Sequence, residues 1–259
     1  MRGYPRKRGK TIAVTGKGGT GKTVLSTLMI KCLADKENIS ILAVDADSAK
    51  SLPYTLGVPV EKTVSDYRQE IIHNPGEKRR IADLDMGSVI REIVVSKRGF
   101  DLLVMGRPEA PGCFCGVNDL LRYGIETLSL DYDVTIIDGE AGPEQINRRV
   151  IQNLDSLIVM ADTSLRSLRT ATEIMGVAQK QDIVDVGRTG LVINKCMGAD
   201  ERMDEIRKEM DLNVWGVLPD DENVSRYDSL NKPLLDIPAD APIVAPVRSI
   251  LQNILGPAI

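Results

Sequence analysis

Eight consecutive residues, Gly16-Lys17-Gly18-Gly19-Thr20-Gly21-Lys22-Thr23, combine four glycines with two lysines and two hydroxyls in an order suited to holding a polyphosphate. Glycines at this spacing let the backbone turn tightly and aim several N–H groups at one anion, and a helix starting just after them adds the positive end of its dipole. In such a loop Lys22 neutralises charge on the β- and γ-phosphates, and Thr23 offers its hydroxyl to Mg²⁺. Three carboxylates stand where they could serve the same chemistry. Asp45 and Asp47 follow an apolar run at residues 39–44, and Asp138 ends the run Val134-Thr135-Ile136-Ile137. A carboxylate at such a place orients an attacking water or helps hold the Mg²⁺ shell, and Asp138 is expected to act on Mg²⁺ through water.

A second constellation is Cys113-Phe114-Cys115, in the glycine- and proline-flanked stretch Gly106-Arg107-Pro108-Glu109-Ala110-Pro111-Gly112-Cys113-Phe114-Cys115-Gly116. Two thiolates one residue apart suit a soft metal but fill half of a tetrahedral site, so two copies of the chain would complete it. Four thiolates accept Zn²⁺, square-planar Ni²⁺ or an iron–sulfur cluster, and the residue content leaves that choice open. Cys32 and Cys196 fall in a helix pattern and at a strand end, as buried thiols do. His73, the only histidine, lies in a charged segment and reads as a solvated residue.

These groups need a scaffold. Residues 11–15, 39–44, 102–105, 134–137, 157–160, 191–193 and 214–218 are short apolar runs, seven in all, and helical patterns at 88–95, 145–152, 165–179 and 200–210 lie between them. The alternation predicts a single α/β domain whose mostly parallel sheet of about seven strands carries helices on both faces, with ligands at the strands' carboxyl ends. Residues 58–99 are the most charged and least strand-like, and read as a helical insertion. Residues 243–254 read as a last helix docked on the sheet. Its only basic residue is Arg248, a poor match to a membrane-surface helix.

Composition sets outer limits. The 259 residues carry a net charge of −4 with 42% hydrophobic and 27% charged residues, which gives no reason to expect nucleic acid as the main partner. No apolar run approaches the ~20 residues that span a bilayer, and no signal-type segment follows the first methionine, so a cytoplasmic protein without a membrane partner is expected. Residues 1–10, with five cations, read as a flexible basic tail, and 11–259 as the domain.

The loop Lys17-Gly18-Gly19-Thr20-Gly21-Lys22-Thr23 resembles the deviant Walker A motif shared by the nitrogenase iron protein and the Min and Par ATPases. That resemblance implies a homodimer with ATP at its interface, Lys17 reaching the partner's phosphates. It also implies Asp47 as the water-activating carboxylate, Asp138-Gly139-Glu140-Ala141-Gly142-Pro143-Glu144 as the switch that senses the γ-phosphate, and Asn194-Lys195 as the pair that reads adenine. A plain strand-end turn fits the spacing of Asn194-Lys195 nearly as well. Together with Cys-x-Cys, the set resembles the CooC-type nickel-insertion ATPases of carbon monoxide dehydrogenase maturation, across nearly the whole chain. The approach to Cys113 also resembles the first cluster-cysteine loop of the nitrogenase iron protein, but residues 143–153 contain no counterpart of that protein's second ligand. The resemblance therefore implies an ATP-driven metallochaperone, with Mg²⁺ at Thr23, Asp45 and Asp138, that serves a carbon monoxide dehydrogenase-like client. An iron–sulfur ATP-dependent reductase and a Par- or Min-like spatial organiser are the alternatives. The organiser would need neither cysteine and would usually carry a basic surface or a membrane helix.

Overall fold

Alternating apolar side chains along the chain's first strand already divide the molecule into two halves: Ile12 and Val14 enter one buried cluster and Ala13 enters the other. A strand buried on both faces must be covered on both, and residues 41–44 divide in the same way, Ile41 and Ala43 from Leu42 and Val44. The computed structural model describes residues 9–36, 38–74, 76, 86–107, 115–142, 153–179, 186–196 and 213–256.

Among the described residues eight strands form one sheet: β1 (Lys10–Gly16), β2 (Ile41–Asp45), β3 (Val95–Lys97), β4 (Phe100–Val104), β5 (Val134–Ala141), β6 (Leu154–Asp162), β7 (Val186–Cys196) and β8 (Val214–Pro219). Their order across the sheet is β3-β4-β2-β5-β1-β6-β7-β8, and every neighbouring pair is parallel except β3 with β4. On one face lie α1 (Lys22–Ala34), α2 (Ser51–Leu56) and the last helix, α8 (Val244–Leu255). On the other lie α3 (Val64–His73), α4 (Met86–Arg91), α5 (Cys115–Leu128) and α6 (Leu165–Ala178). A short helix, α7 (Glu222–Ser229), follows β8.

The predicted single α/β domain is the fold observed, with one strand more than the seven apolar runs suggested. The eighth, β3, sits inside the segment read as a helical insertion. Apolar residues at 89, 90, 93 and 94 keep a helical spacing, so the sequence extends that helix to residue 95. The chain instead leaves α4 at Arg91, and Val95–Lys97 runs antiparallel to β4, with Val95 opposite Leu102 and Lys97 opposite Phe100. At the other end, Lys10 belongs to β1 rather than to a tail. Its Nζ donates to Asp155 Oδ1 at 2.7 Å, and its backbone N–H donates to the Asp133 carbonyl. Residues 1–8 and the predicted helices at 145–152 and 200–210 lie outside the described residues. Among the described residues no helix is long and apolar enough to cross a membrane.

Candidate nucleotide site

The glycine loop joins the central strand β1 to α1, so its anion-binding backbone lies at the carboxyl edge of the sheet, flanked by β5 and β6. Within the loop, the Lys17 carbonyl accepts from the Thr20 hydroxyl at 2.8 Å and from the Thr20 N–H at 3.4 Å, with Lys22 Nζ at 3.5 Å. The turn is thereby closed by its own residues. Gly21, the last residue before α1, has φ +93, and a Cβ there would lie 2.2 Å from Asn194 Nδ2. The close approach serves a hydrogen bond: Asn194 Nδ2 donates to the Thr20 carbonyl at 2.9 Å, while its Oδ1 accepts from the Lys195 N–H. Asn194, expected at the base, thus ties the end of β7 to the phosphate loop.

Lys22 is buried, and burial holds its ammonium below the usual lysine range, against the opposing pull of Asp138, Asp47 and Glu140. Asp138 is fully buried within β5, opposite the last residue of β2. Burial pushes its carboxyl up to about 6, while hydrogen bonds from Thr23 Oγ1 to Oδ2 at 2.7 Å and from Ser26 Oγ to Oδ1 at 2.9 Å, with Lys22 nearby, favour the charged form. A hydroxyl beside a carboxylate is a set of hard oxygen donors, so Thr23 and Asp138 fit Mg²⁺.

Asp45 and Asp47 have separate surroundings. Asp45 lies opposite Asp138 in the β2–β5 register, fully buried, and burial with the Asp138 charge pushes its carboxyl up to about 8. Its Oδ1 accepts the Asp47 N–H at 3.0 Å and its Oδ2 the Leu52 N–H at 3.1 Å. The carboxyl therefore shapes the loop that presents Asp47, which lines the open cleft and accepts from Ala49 N–H through Oδ1.

The cleft, about 480 Å³, brings together Gly18, Gly19, Gly21, Lys22, Thr23, Asp47, Asn194 and Lys195. Its opposite wall went unread in the sequence: Ser51 and Thr55 of α2, Pro219-Asp220-Asp221 and Val224, Ser225 and Asp228 of α7. Asp221 holds that wall together, capping α7 through Asn223 N–H and accepting the Ile243 N–H at 3.0 Å. Ser26 was also missed. The available signal is its position one helical turn past Thr23, which puts two hydroxyls on one face of α1. Lys17 is half-buried at the loop's flank.

The start of the expected switch is fastened to the same loop. Gly142 N–H donates to the Gly16 carbonyl at 3.0 Å, and Thr15 Oγ1 lies 3.3 Å from the Gly142 carbonyl. Pro143 and Glu144 lie outside the described residues, as does Cys113. Cys115 opens α5. Among the described residues no group of three or more His, Cys, Asp or Glu is placed to hold a metal ion. Cys32 and Cys196 are buried cysteines outside any disulfide, and His73 is exposed beside Gln69, as expected.

Comparison with known proteins adds relatives. Residues 11–234 match the CobQ/CobB/MinD/ParA nucleotide binding domain. An uncharacterised ATP-binding protein of Methanocaldococcus jannaschii is 43% identical over 95% of this chain and 98% of its own. The carbon monoxide dehydrogenase accessory protein CooC of Rhodospirillum rubrum is 30% identical over 65% of this chain and 68% of its own. The septum site-determining protein MinD of Bacillus subtilis is 25% identical over 97% and 91%. Among solved structures, a ParA family ATPase from Chlorobium tepidum superposes with a TM-score of 0.72 at 21% identity, covering 96% of this chain and all of that one.

Proposed function

Because the chain belongs to the CobQ/CobB/MinD/ParA nucleotide-binding domain family and is an ATPase, we propose that it works as a homodimeric, ATP-driven metallochaperone for a carbon monoxide dehydrogenase-like client. One observation carries the reading. The Asp138 carbonyl accepts the Ala46 N–H at 2.9 Å, and the Asp45 carbonyl accepts the Met105 N–H at 2.8 Å. The strand end that meets the nucleotide is therefore two backbone hydrogen bonds from Met105, where the stretch bearing Cys113 and Cys115 begins. A rearrangement around the γ-phosphate can thereby reach the strand end from which that stretch departs.

In this reading each of the chain's site residues has a role. The loop N–H groups and Lys22 bind the β- and γ-phosphates, and Lys17 supplies charge from the partner copy. Thr23 and Asp138 would hold Mg²⁺, which offsets phosphate charge when bound. Asp47 orients the attacking water, Asn194 and Lys195 flank the base, and Cys113 and Cys115 of two copies hold the transported Ni²⁺, Zn²⁺ or cluster.

The full-length likeness to MinD supports a second reading, a nucleotide-driven spatial organiser. Replacing both Cys113 and Cys115 by serine separates the two. The metallochaperone reading expects one metal per two chains in the native protein, its loss in the variant, unchanged ATP binding in both, and release of metal on hydrolysis. Metal content unaffected by the double substitution, or by ATP, overturns it in favour of the organiser.

A further inference from the structure

At the far end of α1 from the phosphate loop, about 20 Å along the helix axis, the sheet's amino edge carries a groove of about 600 Å³. Ala34, Phe100 and Leu235 form its apolar floor, and Lys31, Lys36 and Arg98 stand around it with Asp35 the one acidic neighbour among the described residues. Lys97, exposed, flanks Arg98 on β3. The walls are built. Lys31 Nζ donates to the Leu235 carbonyl at 2.8 Å, fixing the 234–236 turn against α1. The β3–β4 turn is seated on the helix end: Gly99 has φ +91, and a Cβ there would lie 2.9 Å from Ala34 Cβ and 3.0 Å from the Ala34 carbonyl oxygen. Among the described residues, Lys36, Lys97 and Arg98 have no carboxylate within ion-pairing distance.

Unpaired cations gathered over an apolar floor, on a chain whose net charge is −4, call for a ligand of opposite sign. We propose that this groove docks an acidic, extended segment of a partner protein, with carboxylates meeting Lys36, Lys97 and Arg98 and one apolar side chain on the half-buried Ala34 and Leu235. The geometry selects this occupant over the other anions. A single phosphate is poorly served because the cations stand on two separate segments, Lys36 just past α1 and Lys97 and Arg98 at the β3–β4 turn. A single-stranded nucleic acid needs exposed aromatic faces on which bases stack, whereas Phe100 is buried.

The proposal is independent of the nucleotide chemistry and is tested on the full chain by fluorescence anisotropy. The probe is a labelled twelve-residue peptide with glutamates on both sides of a central leucine, and a twelve-nucleotide single-stranded DNA is the competitor class. Saturable peptide binding that weakens as salt rises past about 0.15 M is expected. The Lys36→Glu/Arg98→Glu variant should bind at least ~10-fold more weakly with unchanged ATP turnover. If the double reversal alters turnover, Lys36→Ala and Arg98→Ala carry the comparison, each expected to weaken binding about 3-fold. No saturable binding to the native chain, equal affinity in native and variant proteins, or tighter binding of the DNA than of the peptide overturns the proposal.

Discussion

Asp138 shows that the site also rests on a hydroxyl beyond the phosphate loop, that of Ser26. Its two oxygens are taken by hydroxyls of α1, Thr23 on one side and Ser26 on the other, and those bonds keep a fully buried carboxylate available in its charged form. Ser26→Ala leaves Oδ1 without a donor in a dry environment. The expected cost is about 1.5–3 kcal/mol of stability at pH 8, read from urea unfolding. The loss should shrink at pH 5, below the carboxyl's value of about 6, where the neutral acid has less need of a donor. An equal loss at both pH values would show that Ser26 acts by packing alone. Lys22, Thr23 and Asp138 were legible in the sequence because their meaning is carried by local order: glycines before a lysine and a hydroxyl, an aspartate closing an apolar run. Ser26 and Asp221 were not, because each acquires its role from a partner 112 or 22 residues away.

Between elements, the decisive contact is the one where the phosphate loop passes beneath the end of β7. Gly21 holds a left-handed backbone and leaves space for the Asn194 amide. Gly21→Ala adds a methyl at a position that disfavours any side chain, so we expect at least ~1 kcal/mol of destabilisation and roughly 10-fold weaker ATP binding, about 1.4 kcal/mol, by nucleotide titration. Measured against Asn194→Ala alone, Gly21→Ala should cost less affinity than in the native chain, since the clash is then absent while the backbone strain stays. An equal penalty in both backgrounds would place the whole effect in the backbone. The strands buried on both faces were readable as apolar runs, because such a strand needs no alternation to be recognised. β3 was hidden for the opposite reason. Three residues long and defined by its pairing with β4, it has no signal of its own against the helical spacing that precedes it.

For the whole molecule, two buried carboxyls on adjacent central strands tie stability to pH. Asp45 rises from the ordinary carboxylate value of 3.8 to about 8 in the fold, so it stays protonated in the native state after the unfolded chain has released its proton. A raised value contributes stability that is full below about 4 and is lost as pH climbs through about 8. The nucleotide-free protein should therefore become easier to unfold across that window, and Asp45→Asn, which is neutral throughout, should flatten the slope. Urea midpoints at four or five pH values decide it, and identical slopes in both proteins would remove Asp45 from the account. The placement of β1 has a consequence of another kind. It lies at the centre of the sheet, yet its hydrogen-bonding neighbours are β5 and β6, with Lys10 opposite Val134 and Ile12 opposite Ser156. A ribosome making roughly 5–20 residues per second needs on the order of 6–25 s to travel from the first of these strands to its earliest partner. Throughout that interval the strand leading into the phosphate loop is exported with both edges open, so the nascent chain must be kept from pairing with its neighbours on the same message until the middle of the protein emerges.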